Sequence, residues 1–195
     1  MIGYKAAYKG QIEHKINLND VDRNGIVTLD GKFDKELRRG FYFYHDVEKL
    51  LENYYIKGMQ FYKMETVGQQ DLLEDDVMFA TGFKNVTEIS KDELTTYIRM
   101  HQDKLFSSDN PLLRKAVVAA GYRAEDALHD KAATVRVEVA KQGKFLDVLE
   151  NDEEPSVLYA VVKQNHNLEK FLKHEDYDVR TEAKKRYKEL NKEEK

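Results

Sequence analysis

Six histidines, His14, His45, His101, His129, His166 and His174, are the side chains here that titrate near neutral pH. Their spacing matches no metal-binding pattern of the H-E-x-x-H kind. His14 falls on the apolar face of an alternating run and reads as a packed strand histidine. The chain has no cysteine, which excludes thiol catalysis, disulfides and cysteine-ligated zinc. Asp20-x-Asp22-x-Asn24-Gly25 has the oxygen spacing that opens an EF-hand calcium loop, with Val27 at its apolar position. The position that needs a bidentate Glu is Gly31, and the flanks are strand-like. A polar hairpin turn explains these residues without calcium. Arg38, Tyr42 and Glu88 are the residue types a nucleotide-using transferase would recruit: a cation, a stacking ring and a late carboxylate. No spacing supports that grouping, and packing is the simpler role for the aromatics.

A sharper feature is a row of cations. Lys141, Lys163 and Lys185 recur every 22 residues, accompanied by Gln142, Gln164 and Arg186. A regular cationic ridge could hold a phosphate backbone. These lysines also lie near expected helix C-termini, where a cation offsets the helix dipole. Asp147, Glu150, Asp152, Glu153 and Glu154 recur beside them. A solvated, dipole-compensating row is the first reading, and a nucleic-acid ridge the second.

The elements that position these residues divide the chain in two, a unit over 1–106 and another over 107–195. The whole has 195 residues, 41% hydrophobic and 35% charged, which suffices for a packed core. Its 32 basic and 36 acidic residues leave a net charge of −4, so there is no bulk attraction to nucleic acid or membrane. Of 21 Phe and Tyr, 15 precede Asn110 and six follow it. No apolar run reaches the roughly 18 residues a membrane span needs. Met1-Ile2-Gly3-Tyr4-Lys5 lacks an apolar signal core, so a cytoplasmic protein is expected.

In the first half, Gln11 to Leu18 alternates as a half-buried strand. Asn24-Gly25 is a turn, Ile26 to Leu29 a strand, and Phe41-Tyr42-Phe43-Tyr44 an aromatic strand. Val47, Leu50, Leu51 and Tyr54 form an apolar stripe, which predicts a helix from His45 to Tyr55 closed by Gly58. Gln60 to Val67 and Val77 to Ile89 read as strands. Ser90 and Glu93 form a capping box for a helix from about Lys91 to Phe106. The fold class expected is α+β, with a small, mostly antiparallel sheet.

The second half repeats at 22 residues. Leu113, Val135, Val157 and Val179 keep the step, as do Val117, Val139, Val161 and Ala183. So do Ala124, Leu146, Leu168 and Leu190, and Ala127, Leu149 and Phe171. Gly121, Gly143 and Asn165 lie between the two apolar blocks, where a left-handed residue would end a helix. Pro111 and Pro155 sit at the first helical position. Helices are therefore predicted to begin near Pro111, Ala133, Pro155 and Tyr177. One unit cannot bury its own apolar face, so three units and a terminal helix should stack as an α-solenoid.

Asn110-Pro111-Leu112-Leu113-Arg114, Val135-Arg136 and Asp178-Val179-Arg180 resemble the leucine-rich-repeat-variant and HEAT-like α-solenoids, with Leu158 departing where the others have Arg. That resemblance implies a surface for binding another macromolecule. Gly3-Tyr4-Lys5, Gly40-Phe41-Tyr42-Phe43, Tyr54-Tyr55, Glu65-Thr66-Val67-Gly68 and Val86-Thr87-Glu88-Ile89 resemble an uncharacterised α+β domain of phage and bacterial proteins, which implies no activity. The expectation is a non-enzymatic protein without cofactor or metal that recognises another protein. Nucleic-acid binding by the lysine row ranks second, and a transferase in the aromatic half third.

Overall fold

The computed structural model describes residues 1–8, 26–27, 33–34, 41–74 and 77–193. The chain is α+β and divides into two compact units, Met1–Tyr97 and Ile98–Lys195. The division falls inside a helix that the sequence reading assigns whole to the first unit. The expected strand at Gln11 to Leu18, with His14, lies outside the described residues. So do Asp20, Asp22, Asn24, Gly31 and Arg38.

In the first unit β1 (Ile2–Tyr8) pairs antiparallel with β5 (Met59–Glu74), from Ile2↔Glu65 to Tyr8↔Met59. On its other side β1 meets β4 (Phe41–Tyr44) at Tyr4↔Tyr44. Strand β4 pairs with the start of β6 (Val77–Ile89), and β6 pairs along β5. The four strands thus close on one another in the order β1-β4-β6-β5, all neighbours antiparallel. Thr66 seals one end, its N–H and Oγ1 both donating to the Met1 carbonyl at 2.9 and 3.1 Å. Strands β2 (Ile26–Val27) and β3 (Phe33–Asp34) form a separate pair.

Two elements differ from expectation. Strand β5 runs seven residues past Val67, because β6 is long enough to partner it to Glu74↔Val77. Irregularities at Lys63/Glu65, Val67/Gln70 and Leu72/Glu74 absorb the mismatch. The first of them places its extra residue on β6, where Asn85 takes a left-handed φ of 53°, while β5 keeps an unbroken register with β1. The helix predicted from His45 to Tyr55 is only α1 (Glu48–Leu51). Asp46 Oδ1 accepts the Glu48 N–H at 2.8 Å and delays its start. Beyond Leu51 the chain tightens into i→i+3 bonds, Asn53 N–H to Leu50 and Tyr54 N–H to Leu51, and Gly58 closes it at φ 82°. The apolar stripe keeps its purpose in this shorter form: Leu50, Leu51 and Tyr54 are buried.

Helix α2 (Lys91–Phe106) starts at the capping box. Ser90 N–H donates to Glu93 Oε2 at 2.7 Å, and Glu93 N–H to Ser90 Oγ at 3.1 Å. The first turns of α2 meet α1 through Tyr54 Oη and Thr95 Oγ1 at 2.7 Å, and Tyr97 Oη donates to Glu48 Oε1 at 3.2 Å. Burial, then the Glu48 carboxylate, pushes the Tyr97 phenol up to about 12.

The second unit holds helices and turns and no strand among its described residues. Helices α3 (Pro111–Ala119), α4 (Ala133–Lys141), α6 (Pro155–Lys163) and α8 (Tyr177–Glu193) begin at the four predicted positions. Between them lie a 3-10 turn (Asp126–His129) and short helices α5 (Leu146–Leu149) and α7 (Leu168–Phe171). Val135, Val157, Val179, Val117, Val139, Val161 and Ala183 are fully buried, and Ala127, Leu149 and Phe171 nearly so. Leu190 breaks the pattern at 42% exposed. Helix α8 continues straight through Tyr187, where Gly121, Gly143 and Asn165 turn back in the preceding units. Leu190 therefore stays on a helix flank instead of folding onto the core.

Candidate functional site

Helices α3, α4 and α6 of the second unit end the same way. Gly121, Gly143 and Asn165 have φ of 93°, 69° and 60°, as predicted for a left-handed stop. A second left-handed set follows two residues later: Arg123, Phe145 and Asn167, at 56°, 53° and 43°. Only Asn167 among these is a residue type that signals such a conformation, so the pattern was legible at one of three positions. A Cβ on Gly121 would meet nothing within 4 Å, so the cost of a side chain there is local backbone strain, not a clash.

The loops before the helices repeat a second motif, missed in the sequence. Arg114 forms a two-point ion pair with Asp130, Nε–Oδ2 at 2.7 Å and Nη2–Oδ1 at 2.8 Å. Arg136 does the same with Asp152, at 2.6 and 2.8 Å. In each case the acid lies 16 residues after the arginine. The remaining nitrogen, Nη1, donates backwards to a carbonyl six residues earlier: Arg114 to Ser108 and Arg136 to Asp130, both at 2.7 Å. Each acid also accepts the N–H two residues on, Ala132 to Asp130 at 2.8 Å and Glu154 to Asp152 at 2.9 Å. One Arg–Asp rung therefore ties three segments together. Burial alone would push both carboxyls up; the hydrogen bonds from arginine and backbone outweigh it and hold them below the usual range.

The third rung lacks both partners. Buried Leu158 replaces the arginine, and His174 stands where Asp130 and Asp152 do. His174 Nδ1 still accepts the N–H two residues on, from Asp176 at 3.1 Å. The turn survives while the charge is removed. The arginine and its acid are exchanged together, which avoids an unpaired buried charge.

Lys141 and Lys163 end their helices as expected, whereas Lys185 lies inside α8 because that helix continues to Glu193, and the charges of the row are largely committed. Lys141 Nζ is 3.5 Å from Glu138 Oε2, and Lys163 Nζ is 3.4 Å from Glu182 Oε1. Arg186 Nε sits 2.8 Å from Glu182, and its Nη1 donates to Asn165 Oδ1 at 3.1 Å. Gln142 Nε2 donates to the Val118 carbonyl across to the preceding helix. Gln164 and Lys185 are exposed, and Lys185 has no ion pair among the described residues. Burial would raise the Glu182 carboxyl; hydrogen bonds from Arg186 and Lys163 hold it low instead.

Two further features were not anticipated. Glu150 gathers His166 Nε2 at 2.9 Å, Asn167 Nδ2 at 3.0 Å and Lys170 Nζ at 3.0 Å. Hydrogen bonds from Asn167 and Lys170 hold its carboxyl below the usual range. An open groove of about 590 Å³ between α6 and α8 is lined by Pro155, Ser156, Tyr159, Asp176, Asp178, Thr181 and Glu182. No group of three His, Asp or Glu able to hold a metal occurs among the described residues. Of the transferase candidates, Glu88 is exposed and accepts from Gln60 Nε2 at 3.1 Å. Arg38 and the Tyr42 side chain lie outside the described residues. No described helix is long and apolar enough to cross a membrane.

No family model, curated protein or solved structure matches this chain.

Proposed function

We propose that this chain is a non-enzymatic binding protein of the cytoplasm. Its C-terminal unit is a short α-solenoid of 22-residue repeats, of the leucine-rich-repeat-variant and HEAT-like kind, and it recognises another protein. The stacked helices, the paired left-handed turns and the Arg–Asp rungs support the solenoid reading, since each recurs at the same step. The observation that favours protein over nucleic acid is the state of the lysine row. Lys141 and Lys163 face Glu138 and Glu182 within 3.5 Å, and Arg186 is held by Glu182 and Asn165. A phosphate would have to displace those carboxylates, and the unit's net charge of −1, from 17 basic and 18 acidic residues over 107–195, adds no attracting field.

The test is fluorescence anisotropy with labelled single-stranded and duplex DNA and RNA at physiological salt. No binding is expected. A micromolar, salt-sensitive complex that is lost in a Lys141→Glu, Lys163→Glu, Lys185→Glu variant would replace protein recognition by the nucleic-acid reading.

A further inference from the structure

Arg180 is the next arginine in the series of Arg114 and Arg136, two repeats on from the second because Leu158 interrupts it. Its Nη1 makes the same backward contacts, to the carbonyls of His174, of Glu175 at 2.8 Å and of Asp176 at 3.4 Å. Its guanidinium also lies 5.7 Å from the Tyr177 ring centre. Its other edge differs. In Arg114 and Arg136, Nε and Nη2 grip an aspartate brought back by the following loop. Helix α8 runs straight past Tyr187, where the earlier repeats turn back toward their aspartate, and Nε and Nη2 of Arg180 have no partner among the described residues. The guanidinium is oriented as in the occupied rungs, with its carboxylate edge open.

The surface around it matches that vacancy. Val118, Ala140 and Val162, one per repeat, are fully buried against the following helix. At the equivalent position α8 carries Lys184, which is exposed. Arg180, Lys184 and Lys188 follow one another at i, i+4 and i+8, so they share one stripe of the helix. A groove of about 480 Å³ beside them is lined by Leu172, Lys173, Lys184, Tyr187 and Lys188. None of Lys173, Lys184 and Lys188 has an ion pair among the described residues, unlike Lys141, Lys163 and Lys170. The nearby carboxylates are Glu189, beside Lys185 and Lys188 in an adjoining groove, Glu169, which accepts from Tyr187 Oη at 3.4 Å, and Asp176, whose Oδ1 accepts the Val179 N–H.

We propose that this outer face of α8 docks an acidic segment of a partner protein, one of whose Asp or Glu carboxylates seats on Nε and Nη2 of Arg180. The proposal rests on the protein-recognition reading above and deepens it. The molecule itself shows what the fork accepts: a carboxylate that closes a turn by taking the N–H two residues on. The lysines supply charge complementarity for the flanking acids, and Leu172 and Tyr187 supply an apolar wall.

The test uses the full chain and a labelled peptide copying residues 148–157, in which Asp152 has the sequence context that binds Arg136. Weak binding is expected, and about a tenfold loss when the peptide carries Asp152→Asn. Two chain variants should lose affinity to a similar extent. Arg180→Lys keeps the charge and loses the two-point edge; Lys184→Glu with Lys188→Glu leaves Arg180 and its backbone contacts intact. Perturbation of the Arg180 Nε–H resonance by the Asp peptide and not by the Asn peptide would locate the contact. Equal binding of the two peptides, or no loss in either variant, overturns the proposal. Absence of peptide binding also overturns it, while protein recognition by another face stands. An oligonucleotide of matched charge that binds at physiological salt and outcompetes the peptide overturns both.

Discussion

The two units hold themselves together at different ranges. In the first, Ile2 pairs with Glu65 and Tyr4 with both Lys63 and Tyr44, so its closure depends on segments far apart in the chain. In the second, the contacts recur locally: an arginine grips an acid 16 residues on, and each helix packs on the next repeat. A local, recurring contact can be tested against its own copies. A long-range closure has no second copy, and each of its changes stands alone.

The largest expected effect follows from that recurrence. Asp130→Ala leaves Arg114 buried and unpaired, its side chain 6% exposed, and should cost about 3–5 kcal/mol in urea unfolding of the second unit. Asp152→Ala should cost a similar amount, because it breaks the equivalent rung. Widely different values would break the equivalence of the repeats.

The third rung sharpens this. Arg136→Leu with Asp152→His rebuilds at the second rung what Leu158 and His174 already form at the third. The double variant should fall within about 1.5 kcal/mol of the parent, while each single change costs about 3 kcal/mol, a coupling read from a double-mutant cycle. Additive costs would mean that the rungs are not interchangeable.

Acid should act on the same pairs. The Asp130 and Asp152 carboxyls lie below their usual value in the folded chain. Their contribution is therefore complete above about pH 4, the unfolded range, and is lost as pH falls through the lower folded values. The double variant, with one rung removed, should lose less stability between about pH 4 and pH 2. Parallel acid profiles would assign acid unfolding elsewhere.

Smaller effects separate the units again. Ser90→Ala removes one half of the capping box of α2 and should cost about 1 kcal/mol. Gly121→Ala should also cost about 1 kcal/mol, from positive φ alone. Gly121→Asn should recover most of that loss, since Asn165 occupies the equivalent position at φ 60°. An asparagine as costly as the alanine would show that the turns are not equivalent.

What the sequence alone determined is what local rules set. Helix starts at Pro111, Ala133, Pro155 and Tyr177, the stops at Gly121, Gly143 and Asn165, and the cap at Ser90 each depend on residues within one turn of the event, so composition at a fixed step reveals them. The buried stripe was legible for the same reason, weakening at half-buried Leu146 and failing at Leu190, where the helix continues. Tertiary structure decided the rest. Closure of the four strands needed β1 to find both β4 and β5, which no local pattern encodes. The length of β5 was set by the strand opposite it, and the left-handed turns at Arg123 and Phe145 fall on residue types that do not announce them. The Arg–Asp rungs lay in plain view as residue types at a 16-residue offset, but an exposed arginine and a buried one look alike in sequence. Whether a charge is spent or open depends on what the fold brings within about 3 Å of it, and that is why Lys163 is engaged while the edge of Arg180 is open.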